Sequence, residues 1–427
     1  MTPSHSRAAL SVAILGLLLT SGCNRSDYDA PKDASTPQAA TPAADAAPAA
    51  ATPAAKPATD LEQLAQRLVT QSAAVKEGEV VLISGQARDA ELMENIAVEV
   101  RRAGGFPFVE YSSDRLDKRL FFDVPDKYDT QANALGLKLA EMIDANIILQ
   151  NGTSENLFEG ADPKRMAARG KANEPVGQAF LKNNVRTIEV GNNLYPAAWR
   201  AQRYGLAEDA LTQMFWNGVN LDYSQLQARG EQVKTALAGG KEVHVTHPNG
   251  TDLTVGVAGR PVLVSDGIIS AQDMAAGGAA ASVYLPAGEV YTTPVPGTAK
   301  GKLVSSRMFF RGKQIDNLTL TLADGKVTAM TGSGPGFADF KAQYDAVDDA
   351  RKDQLAFLDL GINPNIVLPA DNAVGTWVPA GTITLGTGNN MWAGGDNAVA
   401  YSLVLHLPGS TVTLDGKPVI EGGSLKL

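Results

Sequence analysis

Four short apolar runs separated by helical patterns constrain the first half of this chain more than any other feature. They are Glu79-Val80-Val81-Leu82-Ile83-Ser84, Pro107-Phe108-Val109-Glu110-Tyr111, Asn146-Ile147-Ile148-Leu149 and Val185-Arg186-Thr187-Ile188-Glu189-Val190. Runs of this length, rich in β-branched residues, read as strands. After the first, Asp89 can cap a helix whose apolar residues Leu92, Ile96 and Val100 recur every fourth position, and Gly104-Gly105 stops it. A second helical pattern covers residues 131–143. Strands this apolar, joined by amphipathic helices, form a largely parallel sheet covered on both faces. The expected first domain, 60–239, is therefore α/β.

From about residue 240 the pattern changes to hairpins. Two β-branched runs flank His247-Pro248-Asn249-Gly250, where Asn-Gly is expected to supply the left-handed pair of a tight turn. Further turns follow at Ala323-Asp324-Gly325-Lys326 and Asp415-Gly416-Lys417, with one helix expected over 337–355. The second domain, 240–427, reads as α+β and mostly antiparallel. Together the two are longer than a single hydrophobic core usually holds.

The amino-terminal end has a different composition. Arg7 precedes an apolar run from Ala8 to Leu19, then Thr20-Ser21-Gly22 and the only cysteine, Cys23. The apolar run is shorter than the roughly 18 residues that span a bilayer, so residues 1–22 read as a secretory signal. The segment resembles a bacterial lipoprotein signal, in which the cysteine is lipidated and becomes the first residue. Residues 23–59 are mostly alanine, proline, threonine and aspartate; a segment with so little to bury stays unfolded and serves as a tether. The expected location is the bacterial cell envelope, anchored to a membrane through lipid and facing the periplasm. The formal charge of −9, more negative still once Arg7 is removed, argues against nucleic acid as a partner. One cysteine permits no disulfide within the chain.

Most motifs that could carry chemistry have a simpler reading. Thr331-Gly332-Ser333-Gly334-Pro335-Gly336 lacks the lysine of a phosphate loop, and its proline removes an amide donor. His244 and His247 lie three apart on a strand and so face opposite ways. Ser265 lacks the first glycine of a nucleophile elbow. Glu289, in Leu-Pro-Ala-Gly-Glu-Val-Tyr-Thr-Thr-Pro at 285–294, stands among small residues, glycine and prolines. That stretch resembles the Pro-Thr-Gly-Glu-Val-Phe-Thr-x-Pro segment of the aminopeptidase T family of metalloaminopeptidases. Other pieces fall in the same order: Asn193-Leu194-Tyr195-Pro196 with Arg200 and Arg203, Leu-Gly-Ile-Asn-Pro at 360–364, Gly381-Thr382 before Gly394-Gly395, and Thr-Val-Thr-Leu-Asp-Gly at 411–416.

The resemblance covers roughly 75–427 and implies a two-domain peptidase, a homodimer in solution, with two divalent ions (Zn, Co or Mn) held by two glutamates, two histidines and an aspartate. Paired ions would polarise a peptide carbonyl and hold a hydroxide. Glu289 matches the first glutamate. The second glutamate falls on Phe357 and the first histidine on Thr384. The His-x-Asp pair falls on Ser402 and Val404, or on Ala400 and Ser402 if the loop is shorter. Four of the five implied ligands are thus lost. As substitutes, Asp359 and His406 share the faces of lost ligands but would serve only if the backbone moved, whereas Asp396, on a flexible loop, could swing in and with Glu289 hold a single hard cation weakly through water.

Three readings follow. The chain is a non-catalytic relative that binds a peptide or envelope protein in the former active-site cleft, with no metal; or a metal-dependent aminopeptidase with a site rebuilt around Glu289, Asp359, Asp396 and His406; or a structural envelope lipoprotein.

Overall fold

The computed structural model describes residues 59–427; the signal 1–22, Cys23 and all but the last residue of the tether lie outside the described residues. Four strands follow the apolar runs: β1 Val80–Gln86, β2 Phe106–Ser112, β3 Ala145–Leu149 and β4 Arg186–Val190. Next come β5 Glu242–His247, β6 Thr251–Gly256, β7 Val262–Ser265, β8 Ser282–Leu285 and β9 Glu289–Thr292. The remainder are β10 Lys300–Phe310, β11 Lys313–Ala323, β12 Lys326–Ser333, β13 Leu355–Gly361, β14 Ile383–Gly388, β15 Ser402–Leu407, β16 Thr411–Leu414, β17 Lys417–Glu421 and β18 Ser424–Leu425.

A parallel sheet of order β2-β1-β3-β4-β8 forms the α/β part, as expected. Its fifth strand, however, comes from residues 282–285, after the change of pattern at 240. Two antiparallel sheets make up the rest. One has the order β12-β11-β10-β6-β5-β16-β17-β18 and the other β15-β14-β13-β9-β7. The chain therefore passes from the parallel sheet to the smaller antiparallel one within Pro286-Ala287-Gly288. Ser265, at the end of β7, clamps this crossing: its hydroxyl accepts the Tyr284 N–H at 2.9 Å. Gly288 has φ +126°, and a Cβ there would lie 2.7 Å from that of Asn363, so the crossing requires glycine. A continuous apolar core joins the sheets through Ile83, Ile188, Leu285, Val290, Leu360 and Leu385.

Several local expectations change. Asp89 precedes the helix Ala90–Arg102 without capping it; its carboxylate accepts from Asn151 Nδ2 at 2.6 Å instead. The helix expected over 131–143 runs Ala134–Met142, where Asn133 caps it through the Gly136 N–H. The helix expected over 337–355 ends at Ala346, and Leu355 begins β13, a strand buried on both faces. A continuously apolar run has no period to separate helix from strand. Asp324-Gly325 and Asp415-Gly416 both adopt the left-handed pair, whereas in Asn249-Gly250 only the glycine does. Asn249 uses its side chain instead, donating to the Val304 carbonyl at 2.9 Å.

Candidate functional site: a buried carboxyl pair on the antiparallel sheet

Directly paired residues in a sheet project to the same face, and so do residues two apart along a strand. Asp359 in β13 pairs with Tyr291 in β9 and Thr384 in β14, and Thr384 pairs with His406 in β15. Glu289 lies two residues from Tyr291 and pairs with Gly361. Phe357, two from Asp359, pairs with Gly386, which pairs with Val404; Ser402 pairs with Gly388. Glu289, Phe357, Thr384, Ser402 and Val404, the five positions singled out from the resemblance, thus occupy one face of one sheet. The other face packs Val290, Leu358, Leu385 and Leu405 into the core.

At the floor of this face are two buried carboxyl groups. Glu289 is 3% exposed and Asp359 fully buried. Asn192, held at φ +43° in the loop after β4, donates its amide to Glu289 Oε1 at 2.9 Å and to the Pro286 carbonyl at 3.2 Å. Both Asp359 oxygens lack a hydrogen-bond partner among the described residues. Burial pushes Glu289 up to about 8; the Asn192 bond opposes the shift and the neighbouring Glu189 adds to it. Burial, then the charge of Glu289, holds Asp359 well above the ordinary carboxyl range. Removing a carboxylate from water disfavours its ionised form, and a like charge alongside does so again.

Glu189, a residue that in the sequence stood in a strand without a role, acts on this pair from the parallel sheet. It pairs with Tyr284 in the parallel sheet, and burial pushes it up to about 8 against a hydrogen bond from the Asn192 backbone. A glutamate in an otherwise apolar inner strand was the available signal.

Aromatic rings wall the pit. Phe357 stacks on Trp377 at 5.6 Å and meets Trp392 edge to face at 4.8 Å; Trp392 also lies 5.2 Å from Tyr291 and 6.3 Å from Tyr284. Trp377, Trp392 and Tyr284 are half-buried, whereas Phe357 is fully buried.

The structure brings Asp359 beside Glu289, but not the other two substitutes. His406 stands two strands from Asp359, about 10 Å at ordinary strand spacing. Its Nδ1 shares a 2.9 Å hydrogen bond with Thr384 Oγ1, and its ring meets Trp377 at 5.1 Å. Burial lowers it to about 3, so it is neutral at physiological pH. Asp396 is exposed on the loop after Gly394-Gly395, and Ala400 is exposed ahead of β15. No three His, Cys, Asp or Glu side chains among the described residues converge so as to hold a metal ion. A pair of divalent ions needs several deprotonated donors at about 2.0–2.2 Å. Two adjacent carboxyls, aromatic rings and a distant imidazole bonded to threonine do not fit that requirement. The other motif residues are occupied structurally: His244 Nε2 bonds Asp252 at 2.8 Å, His247 Nδ1 accepts the Asn249 N–H, and Ser265 holds Tyr284.

Comparison with known proteins agrees with this architecture. A family model described as thermophilic metalloprotease (M29) matches residues 58–336. Aminopeptidase PepS of Streptococcus thermophilus is 25% identical over 304 residues, covering 64% of this chain and 70% of that protein. Wild-type AmpT from Thermus thermophilus superposes with a TM-score of 0.63 at 18% identity, over 86% of this chain and 99% of that one. A 2,5-dihydroxypyridine dioxygenase from Pseudomonas putida KT2440 superposes at 0.54 with 15% identity, over 86% and 96%. The structural likenesses show a shared fold, and a fold shared with a dioxygenase does not by itself fix the chemistry.

Proposed function

Since the chain belongs to the thermophilic metalloprotease (M29) family, we propose that it is a non-hydrolytic member whose cleft binds the amino-terminal end of a peptide or protein. The observation that carries this reading is the composition of the face around Glu289. Phe357, Thr384, Ser402 and Val404 offer no imidazole or carboxylate, and Phe357 fills its space with a ring. What remains is a carboxyl pair under aromatic walls, a setting that attracts a cation. An ammonium group gains from the carboxylates once it draws them into ionisation, and from the negative faces of the rings. A protonated amino terminus brings that charge together with an apolar side chain.

Calorimetry with the full chain and tetra-alanine at neutral pH tests this. Binding should weaken at least tenfold when the peptide is N-acetylated or when Glu289→Gln removes the ionisable group, and alanyl-p-nitroanilide should not be hydrolysed. Hydrolysis that requires added Zn, Co or Mn and disappears in Glu289→Gln would instead establish the rebuilt aminopeptidase, for which the Glu289–Asp359 pair is the favouring observation.

The envelope location is part of the same proposal. No helix among the described residues is long and apolar enough to cross a membrane, so attachment would rest on Cys23. Cys23→Ala should move the protein from the membrane fraction to the soluble fraction or leave it unprocessed. Unchanged membrane fractionation of that variant would refute the lipid anchor.

A further inference from the structure

A second polar cluster lies beyond the carboxyl ends of β1, β3 and β4, the side on which open α/β sheets bind ligands. Arg88 follows β1, Glu155 and Asn156 follow β3, and Trp199, Arg200 and Arg203 follow β4. Two of the three arginines have carboxylate partners. Arg88 Nε donates to Asp89 at 3.1 Å, and Arg203 Nη2 pairs with Glu155. Arg200 donates to the Tyr195 carbonyl rather than to a carboxylate, although Glu155 is near enough to act on its charge. Asp114, which accepts the Thr153 and Ser154 N–H groups, is a third carboxylate at these loops, so what sets Arg200 apart is that its guanidinium has no carboxylate hydrogen-bond partner.

The donors are fixed and partly idle. The Arg203 guanidinium lies 3.4 Å from the centre of the Phe309 ring, and that of Arg200 lies 4.3 Å from the Trp199 ring centre. The Arg203 and Glu155 side chains are only 12% and 15% exposed. Arg203 Nη1, Trp199 Nε1 and both polar atoms of the Asn156 amide are buried without a hydrogen-bond partner among the described residues. A buried donor left unpaired bears its full desolvation cost, so a group of them marks a place where something polar binds. Burial also depresses Arg200 to about 10, in the direction an unpaired buried cation moves.

We propose that Trp199, Arg200, Arg203 and Asn156 form a receptor for a carboxylate group. Arg203 Nη1, Trp199 Nε1 and Asn156 Nδ2 supply three donors for the lone pairs of a carboxylate, and Arg200 supplies the balancing charge. Asn156 Oδ1 accepts an amide N–H from the same ligand. With the carboxylates of Glu155 and Asp114 beside the arginines, a monoanion is favoured over a phosphate dianion. Resting on the peptide reading above, the ligand is a peptide carrying a terminal or side-chain carboxylate.

The chain has four tryptophans, so indole-nitrogen-labelled full-length protein gives few signals, and the loss of one in Trp199→Phe assigns Trp199. At constant ionic strength, sodium acetate should shift the Trp199 indole signal saturably, while acetamide should not and methylphosphonate should bind more weakly. Arg200→Gln should weaken the acetate effect at least tenfold, and Arg200→Lys should retain part of it. The three other indole signals report whether each variant is folded; if one is not, the contrast between acetate and acetamide decides. No saturable shift, or equal shifts from acetate and acetamide, overturns the proposal and leaves bound water as the partner of these donors. Trialanine, trialanine amide and Ala-Ala-Glu amide then separate the two carboxylate sources. Acetate binding without binding of any of these peptides keeps the carboxylate site and rejects the peptide reading. Peptide binding that leaves Trp199 unmoved does the reverse.

Discussion

Glu289→Gln should stabilise the folded chain at pH 8 and change its stability little at pH 4.5. Glu289 titrates near 8 when folded and near 4.5 when unfolded. Below 4.5 both states hold the proton. Between 4.5 and 8 the unfolded chain gives it up while the folded chain keeps it, so stability falls as pH rises through that window. A tenfold difference in proton affinity between the two states corresponds to about 1.4 kcal/mol, so a shift from 4.5 to about 8 should cost the wild-type protein about 4 kcal/mol at pH 8. Glutamine removes this penalty and retains an acceptor for Asn192. His406 works in the opposite direction: folded near 3 and unfolded near 6.5, it withdraws stability as pH falls from 6.5 toward 3. The wild-type protein should therefore be most stable in mildly acidic solution. Urea unfolding of both proteins at pH 4.5 and 8 measures the difference. A variant less stable than wild type at pH 8 would mean that Glu289 is held ionised by a bound cation.

Phe357→Ala should cost about 3–5 kcal/mol, the usual penalty for removing a fully buried ring and leaving a cavity. The ring stacks on Trp377 and meets Trp392 edge to face. Across the strand pair, any Cβ at Gly386 would collide with it, so a large and a small residue are matched at this point. The urea midpoint of the variant checks the value. A loss below about 1 kcal/mol would show that the ring is not a structural part of the pit floor and that position 357 is free to move.

The alternation on which the pit rests was legible in the sequence. Glu-Val-Tyr-Thr of β9 and Ser-Leu-Val-Leu-His-Leu of β15 alternate between core and pit, and Asp359 shares the face of Phe357 as its two-residue spacing demands. The pairing of Asp359 with Glu289's strand was not legible. It depends on register between segments far apart in the chain, with Gly361 opposite Glu289, and register is set by tertiary packing. The same limit hid Glu189, whose strand comes from the other sheet and reaches the pit only because β8 pairs with β4 before the chain crosses into β9. The start of β13 was missed because a run buried on both faces gives no alternation.

Whether the metal centre of the family survives in this chain is decided by the metal content of the purified full-length protein after dialysis at neutral pH, measured by elemental mass spectrometry. A site with one carboxyl pair, no imidazole within reach and a phenyl ring on its floor should retain well under one zinc, cobalt or manganese per chain, because dinuclear binding draws its free energy from ligands absent here. Two tightly held ions per chain, lost in Glu289→Gln, would contradict the non-hydrolytic reading and show that the metal centre has been rebuilt.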